Sequence, residues 1–362
     1  MKPVGALVGA LAPGSVIGIL GGGQLARMLA LAAGQLGLKC HIFAPEEDSP
    51  AFHVAAAHTI AGYRDEAALA AFAATVDVVT YEFENVPVEA VRFLEALLPV
   101  RPGSKPLGVA QDRLQEKALA RQLGAMTAEF AAVNSFGELQ VAIGQIGCPA
   151  ILKTTRLGYD GKGQEKILAE ADVAKAWAGM NGQPSILESF VNFEREVSVI
   201  AARGLDSRMA CFDVTENVHR DHILHTSTVP ARISAELAAE AVFIAQRVLE
   251  TLDYVGVMGV EFFVGGDVIY VNEIAPRVHN SGHWTQDACT VSQFEQHIRA
   301  VAGWPLGATL RHSDVEMTNL LGDEISAWRD LAAEPGLAFH HYGKSQVRPG
   351  RKMGHMNRLV PR

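Results

Sequence analysis

The sequence predicts an α/β protein with a parallel, Rossmann-like sheet in front, a compact α+β flap behind it and a longer α+β region to follow. Three observations carry this. Short apolar runs alternate with helical patterns as far as about residue 105, as in βαβ units. Shorter strands and one helix take over from about 128 to 204. Beyond 205 several strands flank the long helix "SAELAAEAVFIAQRVLETL".

In chain order, "SVIGIL" (15–20) reads as a buried strand, "GGGQLARMLALAAGQLG" as a glycine turn feeding a helix, and "LKCHIFA" as a second strand. The helix "DEAALAAFAATV", the strand "DVVTYEF" and the helix "VPVEAVRFLEALL" continue the alternation. "RPGSKP" then closes the domain, and "QDRLQEKALARQLG" is a charged helix leading out of it. The expected organisation is an N-terminal extension over 1–14, a Rossmann-like domain over 15–105, a linker helix with the flap over 106–204, and a C-terminal domain over 205–362.

The 362 residues are 49% hydrophobic, which suits large cores, and 40 acidic against 31 basic side chains leave a net charge of −9. Such a surface repels polyanions, so nucleic acid is not an expected partner. The four cysteines are far apart and form no CxxC pair, which argues against a zinc knuckle or disulfide framework and fits a reducing cytoplasm. The opening "VGALVGAL" imitates a short leader, but no later apolar run approaches the roughly 20 residues of a membrane span.

Four stretches could carry chemistry. "KTTRLGYDGKGQ" (153–164) puts glycines at 158, 161 and 163 beside two lysines, either a phosphate-holding loop or a hairpin turn with solubilising lysines. Gly21, Gly23 and Ala26 satisfy G-x-G-x-x-G/A after a strand. The acidic residue that should end the second strand of a dinucleotide fold is displaced past Pro45, which weakens a nicotinamide reading. A helix N-terminus with free N–H groups near Gly22 and Gly23 remains.

The third stretch, "GVMGVEFFVGGDVIYVNEIAPR" (256–277), reads as a hairpin. If Gly265, Gly266 and Asp267 form its loop, Val264 pairs with Val268, Glu261 lies opposite Val271, and Glu273 follows two places along on the same face. Two such carboxylates repel unless a cation such as Mg²⁺ lies between them, or they are salt-bridged to Arg277 or a neighbour. A two-residue loop would put them on opposite faces. The fourth stretch, "HHYGKSQVRPGRKMGHMNRLVPR", carries six Lys and Arg and no acidic residue; it is a solvated tail or an anion site, and the alternation of "RKMGHMNRL" favours a strand.

Together "GGGQLARM", "YEFENVP", "QDRLQEK", "GYDGKGQ", "NEIAPRVHNSGH" and "GRKMGH" resemble the ATP-grasp superfamily, and within it the N5-carboxyaminoimidazole ribonucleotide synthase family of purine biosynthesis, over residues 15–360. The resemblance implies an ATP-grasp architecture: a Rossmann-like parallel sheet domain, an α+β lid and a C-terminal α+β domain. It implies a homodimeric ligase that uses ATP and Mg²⁺ to carboxylate 5-aminoimidazole ribonucleotide with bicarbonate by way of carboxyphosphate. A formate-dependent glycinamide ribonucleotide transformylase is the nearest alternative, and a nicotinamide oxidoreductase a remote one.

By position, the resemblance assigns ATP contacts to Arg113, Lys153, Gly158, Tyr159, Asp160, Gly161, Lys162, Gly163 and Gln164, then to Glu188, Ser189, Phe190, Val191, Glu196, His219, Asn272 and Glu273. Backbone groups of the 188–191 strand end are expected at the adenine edge. Glu261 and Glu273 become the magnesium ligands. The ribonucleotide falls to Gly23, Gln24, Leu25, Glu82, Glu84, Tyr159, Lys162, Arg277, His279, Asn280, Lys344 and Arg351, with Asp160, Arg277 and Lys344 catalytic and Asp160 steering the amine. Lys162 stands where the family more often has arginine, and Val278 replaces a proline; both leave the charges in place.

Overall fold

The computed structural model describes residues 9–158 and 163–362. Its first unit contains β1 (Val16–Leu20), α1 (Gln24–Gln35), β2 (Lys39–Ala44), β3 (Ala57–Ile60), α2 (Glu66–Ala73), β4 (Val78–Tyr81) and α3 (Val88–Glu95). The four strands pair in the order β3-β2-β1-β4, and every pairing is parallel, as the βαβ pattern predicts. β3 is an addition: it is an edge strand, mostly exposed, whose sequence lacks an apolar run.

"RPGSKP" does not simply end this unit. Ser104 opens the helix α4 (Ser104–Ala110), in whose first turn Pro106 is tolerated because its missing N–H would have no helical partner there. α5 (Arg113–Gln122) follows, capped by the Asp112 carboxylate, which accepts from the Leu114 N–H at 3.1 Å.

The second unit is the flap: β5 (Phe130–Val133), α6 (Phe136–Ile146), β6 (Ala150–Thr154), β7 (Gln164–Ile167), α7 (Val173–Gly179) and β8 (Ser185–Ser189). Its antiparallel sheet runs β5-β8-β6-β7, covered by two helices rather than the one expected.

The remainder builds one large antiparallel sheet from β9 (Arg195–Arg203), β10 (Met209–Cys211), β11 (Thr215–Arg220), β12 (Ile223–Val229), β13 (Gly256–Gly265), β14 (Val268–Ala275), β15 (Ser313–Leu321), β16 (Leu337–His341) and β17 (Lys352–Pro361). α8 (Ala235–Thr251), α9 (Thr285–Ala288), α10 (Gln293–Val301) and α11 (Trp328–Ala333) accompany it. The expected boundary at 204 puts β9 with the flap, but β9 pairs with β13 and β11 and so lies inside the large sheet. The alternation in "RKMGHMNRL" is realised as β17, which lies between β15 and β16.

The first unit and the large sheet share a core. Ile17, Leu29 and Ile42 pack in one cluster with Ile200, Phe294 and Ile298. A buried polar seam reinforces the contact: Thr80 Oγ1 and His297 Nε2 are 2.8 Å apart, and His297 Nδ1 accepts from the Val257 N–H at 3.0 Å. Burial pushes the His297 imidazole down to about 3, so it is neutral and can accept there. This junction sets the distance between the ends of β4 and β14, which carry facing site residues.

Candidate active site

The hairpin of β13 and β14 turns on two residues, Gly266 and Asp267, not three. Val264 therefore lies opposite Ile269 rather than Val268, and Phe262 opposite Val271. In an unbroken ladder this register would send the two carboxylates to opposite faces. A β-bulge corrects it: between Phe262 and Glu261 the register slips by one, Asn272 is the extra residue, and Glu261 faces Glu273 itself instead of Val271. The expected pairing was wrong, yet the two carboxylates meet.

They line a cleft of about 410 Å³ together with Arg113, Lys153, Gly158, Gln164, Phe190, Glu196, His219, Asn272, Glu84 and Arg277. Its walls thus come from the flap, α5, the large sheet and the end of β4. Burial, and then the negative charge of Glu273, push the Glu261 carboxyl up to about 8. His279 Nε2 lies 3.2 Å from Glu261 Oε1, and Arg113 Nη1 lies 3.7 Å from Glu273 Oε2. Burial, followed by the nearby Arg277 charge, holds His279 well below the ordinary histidine range, so it is a neutral partner. Two facing hard oxygen donors with so little positive charge between them fit a divalent cation such as Mg²⁺.

Two further pairs shape the cleft. His219 Nδ1 lies 2.8 Å from Glu196 Oε2; burial opposes the imidazolium, but the Glu196 hydrogen bond wins and raises its pKa. The Arg277 Nε–H donates to the Glu84 carboxylate. Burial disfavours that carboxylate, and the Arg277 charge overrides it, leaving Glu84 below its ordinary range.

Several expected residues have other work. The helix start at Gly23 is not free to hold phosphate: the Gly23 N–H and the Ala26 N–H both donate to the Glu82 carboxylate, the second at 2.8 Å. This also removes the remaining basis for a dinucleotide at the glycine turn. Gln24 opens α1, and Leu25 beside it is buried in the shared core, not in the cleft.

At the strand end, the Glu188 carboxylate is buried and accepts from Lys153 Nζ at 2.9 Å, with Lys117 Nζ at 3.6 Å. Although burial resists its ionisation, the two ammonium groups hold it down to about 2. The Ser189 N–H donates to the Glu129 carbonyl and the Phe190 N–H to the Pro149 carbonyl, so these two N–H groups are already paired.

The Asn280 side-chain amide is paired reciprocally with that of Asn319, at 2.9 and 2.8 Å. In the loop between β16 and β17, Lys344 Nζ lies 5.6 Å from the centre of the Tyr342 ring and donates to the Lys352 carbonyl at 2.7 Å. Burial, and then Arg351, lower the Lys344 pKa to about 8. Arg351 Nη1 donates to the Gln346 carbonyl at 2.7 Å.

Of the glycine loop, Gly163 takes φ +69°, and a Cβ there would lie 2.8 Å from Thr154 Oγ1. Among the described residues before it, the left-handed step falls at Leu157, φ +64°, rather than at Gly158. Tyr159, Asp160, Gly161 and Lys162 lie outside the described residues. The sequence reading missed Glu116, Phe193 and Phe263, which also line the cleft; Phe193 and Phe263 stack at 4.5 Å. The doublet "FF" at 262–263 is the one local signal, because in a regular strand one of the two must leave the core.

Family models match the chain in three consecutive stretches: the ribonucleotide synthetase preATP-grasp domain over 15–111, the ATP-grasp domain over 118–294, and the phosphoribosylaminoimidazole carboxylase C-terminal domain over 316–361. An N5-carboxyaminoimidazole ribonucleotide synthase from Brucella melitensis biotype 1 is 52% identical over 355 residues, 97% of this chain and 98% of the relative. A crystal structure of an N5-carboxyaminoimidazole ribonucleotide synthetase complexed with ADP superposes with a TM-score of 0.94 at 44% identity, covering 97% of this chain and 94% of that one. The Aspergillus clavatus N5-carboxyaminoimidazole synthase complexed with ADP and 5-aminoimidazole ribonucleotide does so with a TM-score of 0.90 at 30% identity, covering 96% and 94%.

Proposed function

The chain belongs to the N5-carboxyaminoimidazole ribonucleotide synthase family of ATP-grasp ligases, and from that premise we propose how its own residues carry out the ATP-dependent carboxylation of 5-aminoimidazole ribonucleotide in purine biosynthesis. The observation that carries the proposal is the Glu261–Glu273 pair, facing across the β13–β14 ladder in a cleft that the flap roofs.

The flap of β5 to β8 serves as the lid over ATP. Lys153 and Arg113 reach the cleft with positive charge, and Lys153 is held by Glu188 so that its ammonium is placed before the nucleotide arrives. Glu261 and Glu273, with Asn272 beside them, would hold Mg²⁺, which when bound neutralises phosphate charge. Glu196 and His219 form an ion-paired couple at the cleft wall suited to ribose hydroxyls.

Bicarbonate oxygen attacks the γ-phosphorus and ADP leaves, giving carboxyphosphate. The exocyclic amine of the ribonucleotide then takes the carboxyl carbon, inorganic phosphate departs and the amine gives up a proton. By the family resemblance Arg277, which joins the end of β14 to Glu84, is assigned to the anionic intermediate, and Lys344 with Arg351 to the ribonucleotide phosphate. Asp160 is assigned to steering the amine by resemblance. No helix among the described residues is long and apolar enough to cross a membrane. A cytoplasmic homodimer completes the proposal.

The test is phosphate release from ATP by the purified chain. Release should depend on both the ribonucleotide and bicarbonate, and turnover indifferent to either would sink the assignment.

A pH dependence follows from Lys344. Its ammonium, with a pKa of about 8, loses its proton as pH rises through that value, so attraction for the ribonucleotide phosphate weakens above it. The KM for the ribonucleotide should climb above that pKa, by at most about tenfold per pH unit, and level off where Arg351 alone faces the phosphate, while the KM for ATP changes much less. An equal rise in both would place Lys344 elsewhere.

A further inference from the structure

β14 is the outer strand of the large sheet, and the bulge at Asn272 further disrupts its ladder. Backbone groups at such a place need other partners, since an unpaired buried N–H or C=O is costly. α5 supplies them from two consecutive side chains. Lys117 Nζ donates to the Val271 carbonyl at 3.2 Å and to the Asn272 carbonyl at 2.9 Å. The Glu116 carboxylate accepts from the Ile274 N–H. The two side chains therefore bind the backbone on both sides of Glu273.

Their setting is not that of a surface helix. Glu116 is 2% exposed and Lys117 1%, although both belong to a stretch whose charges suggest solvent. Burying two ionisable groups is unfavourable unless each is well bonded. On the same helical face, one turn before them, Arg113 reaches the Glu273 carboxylate itself. One helix thus grips the bulge at its backbone and its carboxylate together.

We propose that Glu116 and Lys117 are positioning residues: they hold the bulge at Asn272 in its register and thereby keep Glu273 opposite Glu261. This deepens the metal reading above and rests on it. Neither side chain need touch the cation. Their effect passes through the β14 backbone, as with outer-shell partners that cost roughly 10- to 100-fold in metal affinity when removed.

The experiment is Mn²⁺ binding to the full chain with ADP, followed by electron paramagnetic resonance, beside ADP binding without metal by calorimetry. Glu116→Leu should weaken Mn²⁺ at least tenfold with metal-free ADP affinity kept, whereas Glu116→Gln, whose amide oxygen still accepts from Ile274, should stay within about threefold of the parent. Lys117→Met, which keeps an apolar stem and removes the donors, should weaken Mn²⁺ at least tenfold beyond whatever it costs metal-free ADP, since it also takes an ammonium from the Glu188 carboxylate that holds Lys153. Parent-like Mn²⁺ binding by either folded variant overturns the proposal. So does failure of both to fold, which would assign the pair to stability alone. Absence of Mn²⁺ binding by the parent chain would overturn the metal reading and this inference with it.

Discussion

Replacement of Glu273 by glutamine should lower kcat for phosphate release roughly 10³-fold, several kcal/mol of transition-state stabilisation, while leaving the fold intact. The side chains are nearly identical in shape, so packing around β14 is unchanged. What changes is charge. Glu261 is buried and pushed up to about 8 partly by Glu273, and a neutral neighbour removes that repulsion. Relief of that repulsion offsets the lost Arg113 ion pair, so the thermal midpoint should stay close to that of the parent. Turnover should fall because one of two facing anionic donors is gone. Turnover within threefold of the parent would refute the role given to the pair.

Arg277→Met should have a large effect of another kind. Its guanidinium is the partner of a Glu84 carboxylate held low in pKa by it, and both are largely shielded from water. Removing one member of such a pair leaves the other buried and unpaired, at a cost of about 3–5 kcal/mol. The thermal midpoint should drop accordingly. Adding Glu84→Gln should restore most of the lost stability, since the stranded charge disappears. It should not restore turnover, because the cation assigned to the anionic intermediate is still missing. Recovery of both together would make Arg277 a structural residue.

How much of this was legible depended on whether the signal was local. β1, α1, β2, β4 and α3 followed from periodicity, since each buries one face against its own neighbours in sequence. α4 was hidden because two prolines and a glycine in "RPGSKP" look like a stop, although a proline in the first helical turn is compatible with a start. β9 was assigned to the flap by proximity along the chain, whereas its partners β11 and β13 lie further on.

In the site, residue types were legible and their partners were not. The carboxylates at 261 and 273 could be named, but a slip of one residue in a ladder leaves no mark in the sequence. Glu82 shows the same limit: the resemblance gives it to the ribonucleotide, and only the fold brings it to the N–H groups of Gly23 and Ala26. Glu116 and Lys117 look like solvent-facing helix charges until β14 is laid against them.

The hairpin has a parity. A two-residue turn alone gives the wrong face to Glu273, and the extra residue at Asn272 gives the right one. The chemistry is thus stored in a count as much as in an alphabet. Inserting one residue between Asn272 and Glu273 would leave every neighbouring letter in place, yet swing Glu273 toward the hydrophobic side and present Ile274 to the nucleotide. Tolerance to substitution and tolerance to length change should therefore diverge sharply along this strand.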